Sequence, residues 1–221
     1  MKLRIGIIGC GGIATGKHLS ALKSNGDLCE VVAFCDGILD RAKKAAQEYG
    51  VENAQVCQNY NELLANPNVD VVYVLTPNIS HSPIAVDAFH AGKHVMCEKP
   101  MAINTAEAEK MMTAWKESGK KFSIGYQNRY RADVRHLRSA CQNGDLGEIY
   151  YAKAYAIRRR GVPTWGSFIQ GSQQGGGPLI DIGTHSLDLA LWLMDNYDVE
   201  SVTGTVFKKL GKLPQAKIGR A

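Results

Sequence analysis

The sequence predicts an α/β protein, with a doubly wound, mainly parallel sheet in residues 1–125 and a second, partial α/β domain in 126–221. Three observations predict it. Short, almost wholly apolar runs rich in Val, Ile and Phe recur along the first half, as strands covered on both faces require. Segments with helical spacing alternate with them, which calls for parallel strands joined by right-handed crossovers. After Gln127 the rhythm changes, and the chain of 221 residues, 45% hydrophobic and 21% charged, is long enough for more than one core.

The first run, Leu3-Arg4-Ile5-Gly6-Ile7-Ile8, breaks into Gly9-Cys10-Gly11-Gly12-Ile13-Ala14 and re-forms as a helix. Gly9 permits a tight exit from the strand, Gly11 lets backbone approach a pyrophosphate, and Ala14 lets the helix pack closely on the strand. The first helical N–H groups and the positive end of the helix dipole face the same point. This is a dinucleotide-binding turn in outline, although glycine also serves any strand-turn-helix. The second strand, 30–36, ends in Asp36, about 20 residues past the loop, where a carboxylate accepts the ribose hydroxyls of an adenosine and favours NAD over NADP. The bland alternative is that Asp36 caps the helix starting near Leu39.

Residues 39–49 carry helical spacing up to Gly50, a short strand at 55–57 precedes a helix at 60–65, and 69–75 is a buried strand stopped by Thr76-Pro77-Asn78. A helix over 83–91 ends at Gly92, a fifth strand occupies 93–97, a helix spans 105–118, and a sixth strand follows at 121–125. Beyond these come a polar helix at 130–142, the turn Asn143-Gly144-Asp145, an extended segment at 149–159 and a Gly/Gln/Ser-rich loop at 161–178. A helix over 182–194 and a strand over 200–208 complete the prediction, and 210–221 shows no apolar periodicity.

Composition excludes some functions. The net charge of +5 is modest and spread out, with Arg158-Arg159-Arg160 the one tight basic cluster, so neither nucleic acid nor membrane is an expected partner. Those arginines read as a solvated strand end or as a clamp for an anionic group. The six cysteines lack paired close spacing and resemble reduced, buried small residues. No signal-like start and no apolar run of about 18 residues occurs, which points to the cytoplasm.

Three residue sets fall at carboxyl ends of predicted strands, where open α/β sheets bind ligands: Thr76-Pro77-Asn78, Glu98-Lys99-Pro100 and Gln127-Asn128-Arg129. Pro77 and Pro100 fix the local backbone there, or simply end their strands. A second constellation, Gly175-Gly176-Gly177-Pro178 followed by Asp181 and His185, puts two polar groups four residues apart, on one face if both are helical. A helix cap and a satisfied buried histidine are the competing readings. No metal is expected, because no third and fourth ligands gather near them in sequence. Asp188 either orients His185 or is an exposed acid, and Trp165 either stacks on a sugar or packs.

Taken together, the loop from Gly9 to Ala14, Asp36, Glu98-Lys99-Pro100 and the Gly-Gly-Gly stretch leading to Asp181-x-x-x-His185 resemble the Gfo/Idh/MocA family of sugar and cyclitol oxidoreductases. The resemblance covers most of the chain and implies an N-terminal Rossmann domain for the nicotinamide cofactor, covered by a C-terminal domain with a large open sheet. It implies Lys99, Asp181 and His185 as the catalytic group. Thr76, Asn78, Glu98 and Gln127 would line the nicotinamide end, with Gly9, Gly11, Gly12, Ile13, Asp36 and His81 as further cofactor residues. It also implies a second domain continuing for roughly another hundred residues, so the sheet here is expected to be unfinished, with an uncovered edge at 200–208.

The expected reaction is hydride transfer between a secondary alcohol of a sugar, amino sugar or cyclitol and NAD. His185 would act as acid/base, Lys99 would stabilise the developing alkoxide, and Asp181 would orient the sugar or the lysine. Two alternatives stay open: an NAD-dependent glycosidase working by transient oxidation, and a non-catalytic NAD-binding remnant. A homo-oligomer is expected.

Overall fold

The computed structural model describes residues 1–157, 159, 163, 166, 168 and 170–207, which divide into two compact units, Met1–Gly125 and Tyr126–Ala221. In the first unit six strands form one parallel sheet: β1 (Leu3–Ile8), β2 (Cys29–Cys35), β3 (Gln55–Cys57), β4 (Val71–Val74), β5 (His94–Cys97) and β6 (Phe122–Ile124). Their spatial order is β3-β2-β1-β4-β5-β6, so the chain reverses direction of travel across the sheet at β1 and β4. This is the doubly wound order of a Rossmann fold.

Both faces are covered, which explains the unbroken apolar runs. On one side α1 (Leu19–Ser24) and α2 (Leu39–Tyr49) bring Leu19, Leu22, Ala42 and Ala45 onto Ile5, Ile7, Val31 and Phe34. On the other, α3 (Tyr60–Leu64), α4 (His81–His90) and α5 (Thr105–Ser118) bring Leu63, Ile84, Phe89 and Met111 onto Ile8, Val72, Val74, Val95 and Cys97. The pairing of β1 with β2 slips by one residue between Ile5 and Gly6. That bulge lets Val31 and Phe34, three apart, point to the same face, which strict alternation forbids.

Far from the carboxyl edge, Arg4 holds Asp70 through two guanidinium bonds of 2.9 and 2.7 Å. The buried Lys93 ammonium donates to the carbonyls of Asn66 (2.7 Å) and Val69 (2.9 Å).

The predicted helix at 83–91 begins two residues earlier, at His81. Pro83 is admitted because it stands in the first turn, where its missing N–H would have had no intrahelical partner. A π turn, Ala14–His18, leads into α1.

The second unit contains α6 (Ala132–Asn143), α7 (Gly171–Gln174), a π turn (Leu179–Gly183) and α8 (Thr184–Met194). Its predicted strand at 200–208 is corrected: residues 200–207 form no strand, and Lys208 lies outside the described residues. A strand exists only when a neighbouring backbone takes up its N–H and C=O groups, and no such ladder forms among the described residues here. Residues 149–157 likewise run without a ladder partner among the described residues. Arg158, Arg160 and Trp165, singled out in the sequence, lie outside the described residues, as does the segment 210–221.

Candidate active site

Because all six strands are parallel, their carboxyl ends share one edge, and the sequence-predicted residues of the first unit gather there. At the end of β1, Gly9 has φ +96°, and a Cβ on it would stand 2.7 Å from the carbonyl carbon and oxygen of Leu75. Only glycine fits that turn. Gly11 and Gly12 differ: a Cβ on either meets nothing within 4 Å. Their missing side chains leave open space above the first helical turn, as a phosphate approaching backbone N–H groups requires. Exposed Ile13 and buried Ala14 complete the turn.

Asp36 is bound into the loop. Its Oδ2 accepts the Cys10 N–H at 2.8 Å, and its Oδ1 accepts the Ile38 N–H at 2.8 Å. The two sequence readings therefore combine: Asp36 organises the turn before α2, although Ile38 and not Asp36 is the residue at the helix cap, and it tethers the glycine loop. Each carboxylate oxygen retains acceptor capacity for a ribose hydroxyl. Cys10 itself is buried, and desolvation followed by the Asp36 charge pushes its thiol up to about 12, so it is inert at neutral pH.

At the end of β4, Thr76 Oγ1 is buried without a hydrogen-bond partner among the described residues. Asn78 opens a 3₁₀ turn, Asn78–Ser80. His81 is wholly buried, and its ring is placed between two carbonyls, Nδ1 2.8 Å from Pro100 O and Nε2 2.9 Å from Thr76 O. The expectation of His81 as a cofactor contact is thus corrected: the ring lies beneath the edge and staples the Thr76 turn to the Lys99-Pro100 turn. Burial, ahead of the two carbonyl bonds that oppose it, lowers its pKa.

At the end of β5, Glu98 is nearly enclosed. Its Oε1 lies 2.8 Å from His18 Nε2, and its Oε2 accepts the Lys99 N–H at 3.0 Å. Gly125, just past β6, makes room for it, since a Cβ there would lie 3.2 Å from Oε1. Burial pushes the Glu98 carboxyl up, but the His18 bond and charge, with the Lys99 N–H and ammonium, bring it below the usual carboxylate range. Both oxygens of Glu98 thus bind protein groups, and, as in Asp36, each retains acceptor capacity for the nicotinamide contact the sequence pointed to. Lys99 follows it, half-buried, at the Lys99-Pro100 cis bond.

An open glycine cradle, an acid on the adjoining strand and an orphaned threonine hydroxyl fit a nicotinamide dinucleotide.

In the second unit, Gln127 is exposed and begins a 3₁₀ turn, Gln127–Tyr130. Asp181 lies in the π turn and His185 in the first turn of α8, so one continuous helical segment carries both, with a wider turn between them than α-helical spacing assumes. His185 is 9% exposed, with the Tyr126 ring edge-on at 6.3 Å, and the Tyr126 hydroxyl is 3.0 Å from Thr184 Oγ1. Asp188 does neither thing the sequence suggested. It is buried in a fork of the Arg129 guanidinium, with Nε 2.9 Å from Oδ2 and a terminal nitrogen on Oδ1. Arg129 also lies over the rings of Trp192 (5.5 Å) and Tyr126 (5.7 Å). Sequence reasoning missed His18, Gly125 and Tyr126; of these only Gly125, a glycine closing a strand, carried a local signal.

Comparison with known proteins agrees with this fold. The family model described as "Oxidoreductase family, NAD-binding Rossmann fold" matches residues 3–126, and "GFO/IDH/MocA C-terminal domain" matches 134–216. The chain is 42% identical over 209 residues to D-glucoside 3-dehydrogenase of Escherichia coli K12, covering 95% of this chain and 59% of that protein. It is 31% identical to Myo-inositol 2-dehydrogenase of Thermotoga maritima, over 99% of this chain and 61% of the relative. Among solved structures, aldose-aldose oxidoreductase from Caulobacter crescentus superposes with a TM-score of 0.77 at 33% identity, over 88% of this chain and 58% of that one. A 3-ketoreductase from Actinomadura kijaniata with NADP and TDP-benzene gives 0.76 at 30% identity, over 88% and 58%. The chain spans less than two thirds of the length of these relatives. With a glycine cradle, a tethered Asp36 and a Lys99 turn on one edge of a doubly wound sheet, the chain belongs to the Gfo/Idh/MocA oxidoreductase family, which has an NAD-binding Rossmann fold.

Proposed function

We propose that this chain moves a hydride between NAD and a secondary alcohol of a sugar or cyclitol, the C3 hydroxyl of a D-glucoside being the first substrate to try. One observation carries the reading: a single sheet edge bears, strand by strand, the open glycine turn, Asp36, Thr76 and Lys99. The relative named D-glucoside 3-dehydrogenase supports the substrate class.

The bound nicotinamide supplies the hydride acceptor. Asp36 holds the ribose hydroxyls and repels a 2′-phosphate, which favours NAD over NADP. Gly11 and Gly12 admit the pyrophosphate, and Thr76, Asn78 and Gln127 serve the nicotinamide end. Loss of hydride from carbon requires loss of the hydroxyl proton. His185 takes that proton, since an imidazole titrates near working pH. Lys99 stabilises the developing oxyanion, and Asp181 orients the sugar.

The test uses the 221-residue chain. NAD binding is measured by calorimetry, and NADH formation is followed with methyl glucosides and myo-inositol. Lys99→Ala and His185→Ala are expected to keep NAD binding within about 3-fold and to lose about 10²-fold or more in kcat. Failure to bind either dinucleotide, or near-normal turnover in both variants, overturns the proposal. Glycoside cleavage without net NADH replaces it with the transient-oxidation glycosidase.

A further inference from the structure

The bond between His18 and Glu98 joins two parts of the first unit that are 80 residues apart in sequence. His18 closes the π turn leading into α1, the helix that follows the glycine cradle. Glu98 directly follows β5 and, through its second oxygen, receives the N–H of Lys99. Both side chains are nearly buried, 15% and 12% exposed, so water competes weakly for the bond. Three neighbours fix the pair: the Tyr73 ring lies edge-on to His18 at 5.8 Å, Gly125 closes over Glu98, and the backbone of Glu98 donates to Val74 O at 3.0 Å.

We propose that His18 is a positioning residue: through Glu98 it transmits the state of the dinucleotide-binding helix to the Lys99 turn, so that a bound dinucleotide sets the lysine for reaction. The inference rests on the function proposed above. A nucleotide whose phosphates sit on the first helical N–H groups restrains that helix, and His18 is carried on it. A restrained His18 holds Glu98 Oε1, and the same carboxylate then holds the Lys99 N–H more firmly. Neither His18 nor Glu98 needs to touch the substrate. A shift of about 1 Å at a group facing the reacting oxygen is enough to cost about 10²-fold in rate.

Two measurements separate this strut from the reaction itself. The first is hydrogen exchange at the Lys99 amide with and without NAD. Saturating NAD is expected to slow it about 5-fold or more in the wild-type chain, to leave it nearly unchanged in His18→Ala and Glu98→Gln, and to slow it again in His18→Gln, whose amide nitrogen can donate to the same oxygen. The second is a split of kinetic constants: His18→Ala is expected to keep NAD affinity within about 3-fold while kcat falls about 10-fold or more, with partial recovery in His18→Gln. Equal NAD-dependent protection in wild type and His18→Ala overturns the inference, as does absence of protection in the wild type or an unchanged kcat in His18→Ala. A wild-type chain that binds NAD and shows the predicted exchange pattern without turnover leaves the strut standing and removes the reaction.

Discussion

The Cys10 N–H donates to Asp36 Oδ2 at 2.8 Å, so the acid that would read the ribose also holds the loop that would admit the phosphates. Asp36→Ala should therefore do two things at once. The NADP-to-NAD affinity ratio is expected to rise about 10-fold or more as the like charge facing a 2′-phosphate disappears. Affinity for NAD itself should fall as the loop loses its tether. Parallel calorimetric titrations of both dinucleotides check this, and an unchanged ratio would contradict the placement of the ribose.

Two glycines two residues apart in sequence, Gly9 and Gly11, should respond in opposite ways. Gly9→Ala forces a Cβ to 2.7 Å from the Leu75 carbonyl at φ +96°, and is expected to lower unfolding free energy by about 2 kcal/mol or more. Gly11→Ala meets nothing within 4 Å and should leave the nucleotide-free stability within about 0.5 kcal/mol while weakening dinucleotide binding. Urea unfolding beside a binding titration separates the two.

In the second unit the Arg129 fork on Asp188 is half-shielded and joins the segment at 127–130 to α8. Asp188→Ala leaves a guanidinium without its carboxylate, a change that costs about 3–5 kcal/mol when the pair is buried and less here, because the Arg129 side chain is 31% exposed. Faster hydrogen exchange over α8, with the first unit unchanged, is the expected signature. Uniform exchange behaviour would show the fork to be dispensable.

Acid should destabilise the first unit through His81, whose burial disfavours the charged ring. Burial holds the folded His81 pKa below its usual 6.5, so the unfolded chain binds more protons between the two values. Stability from this group is then complete above about pH 6.5 and is lost as pH falls through the folded pKa. Urea midpoints should drop on going from pH 7.5 to 5.5, and the drop should be smaller in His81→Gln. A pH-independent midpoint difference between the two proteins would contradict the lowered His81 pKa.

The first unit was legible because its signals are local. The helix α5 runs from Thr105 to Ser118 as predicted, since Asn104 caps Glu107 N–H and Gly119 accepts a left-handed turn at φ +63°. Asp36 could be found from its distance to the glycine loop. The contacts of His18 with Glu98 and of Arg129 with Asp188 span 80 and 59 residues and leave no periodic trace, so no reading of spacing could find them. His81 was misjudged for the same reason: its burial follows from two turns that meet only in the fold. The strand at 200–208 shows the converse, a legible apolar pattern with no ladder among the described residues to fulfil it.

The π turn at Ala14–His18 accommodates one residue more per turn than its rotation warrants, so the end of the helix that meets the glycines and the end that packs Leu19 and Leu22 are out of phase with each other. Deleting a single residue from that turn would restore ordinary α geometry and leave the core stripe seated. The glycine-bearing end would keep its orientation, because the turn takes up its extra residue without rotating the helix on either side. A one-residue deletion inside this turn is thus absorbed without re-aiming the glycine cradle against the core, whereas one placed in the α-helical part would rotate one end about 100° against the other, the angle per residue implied by 3.6 residues per turn.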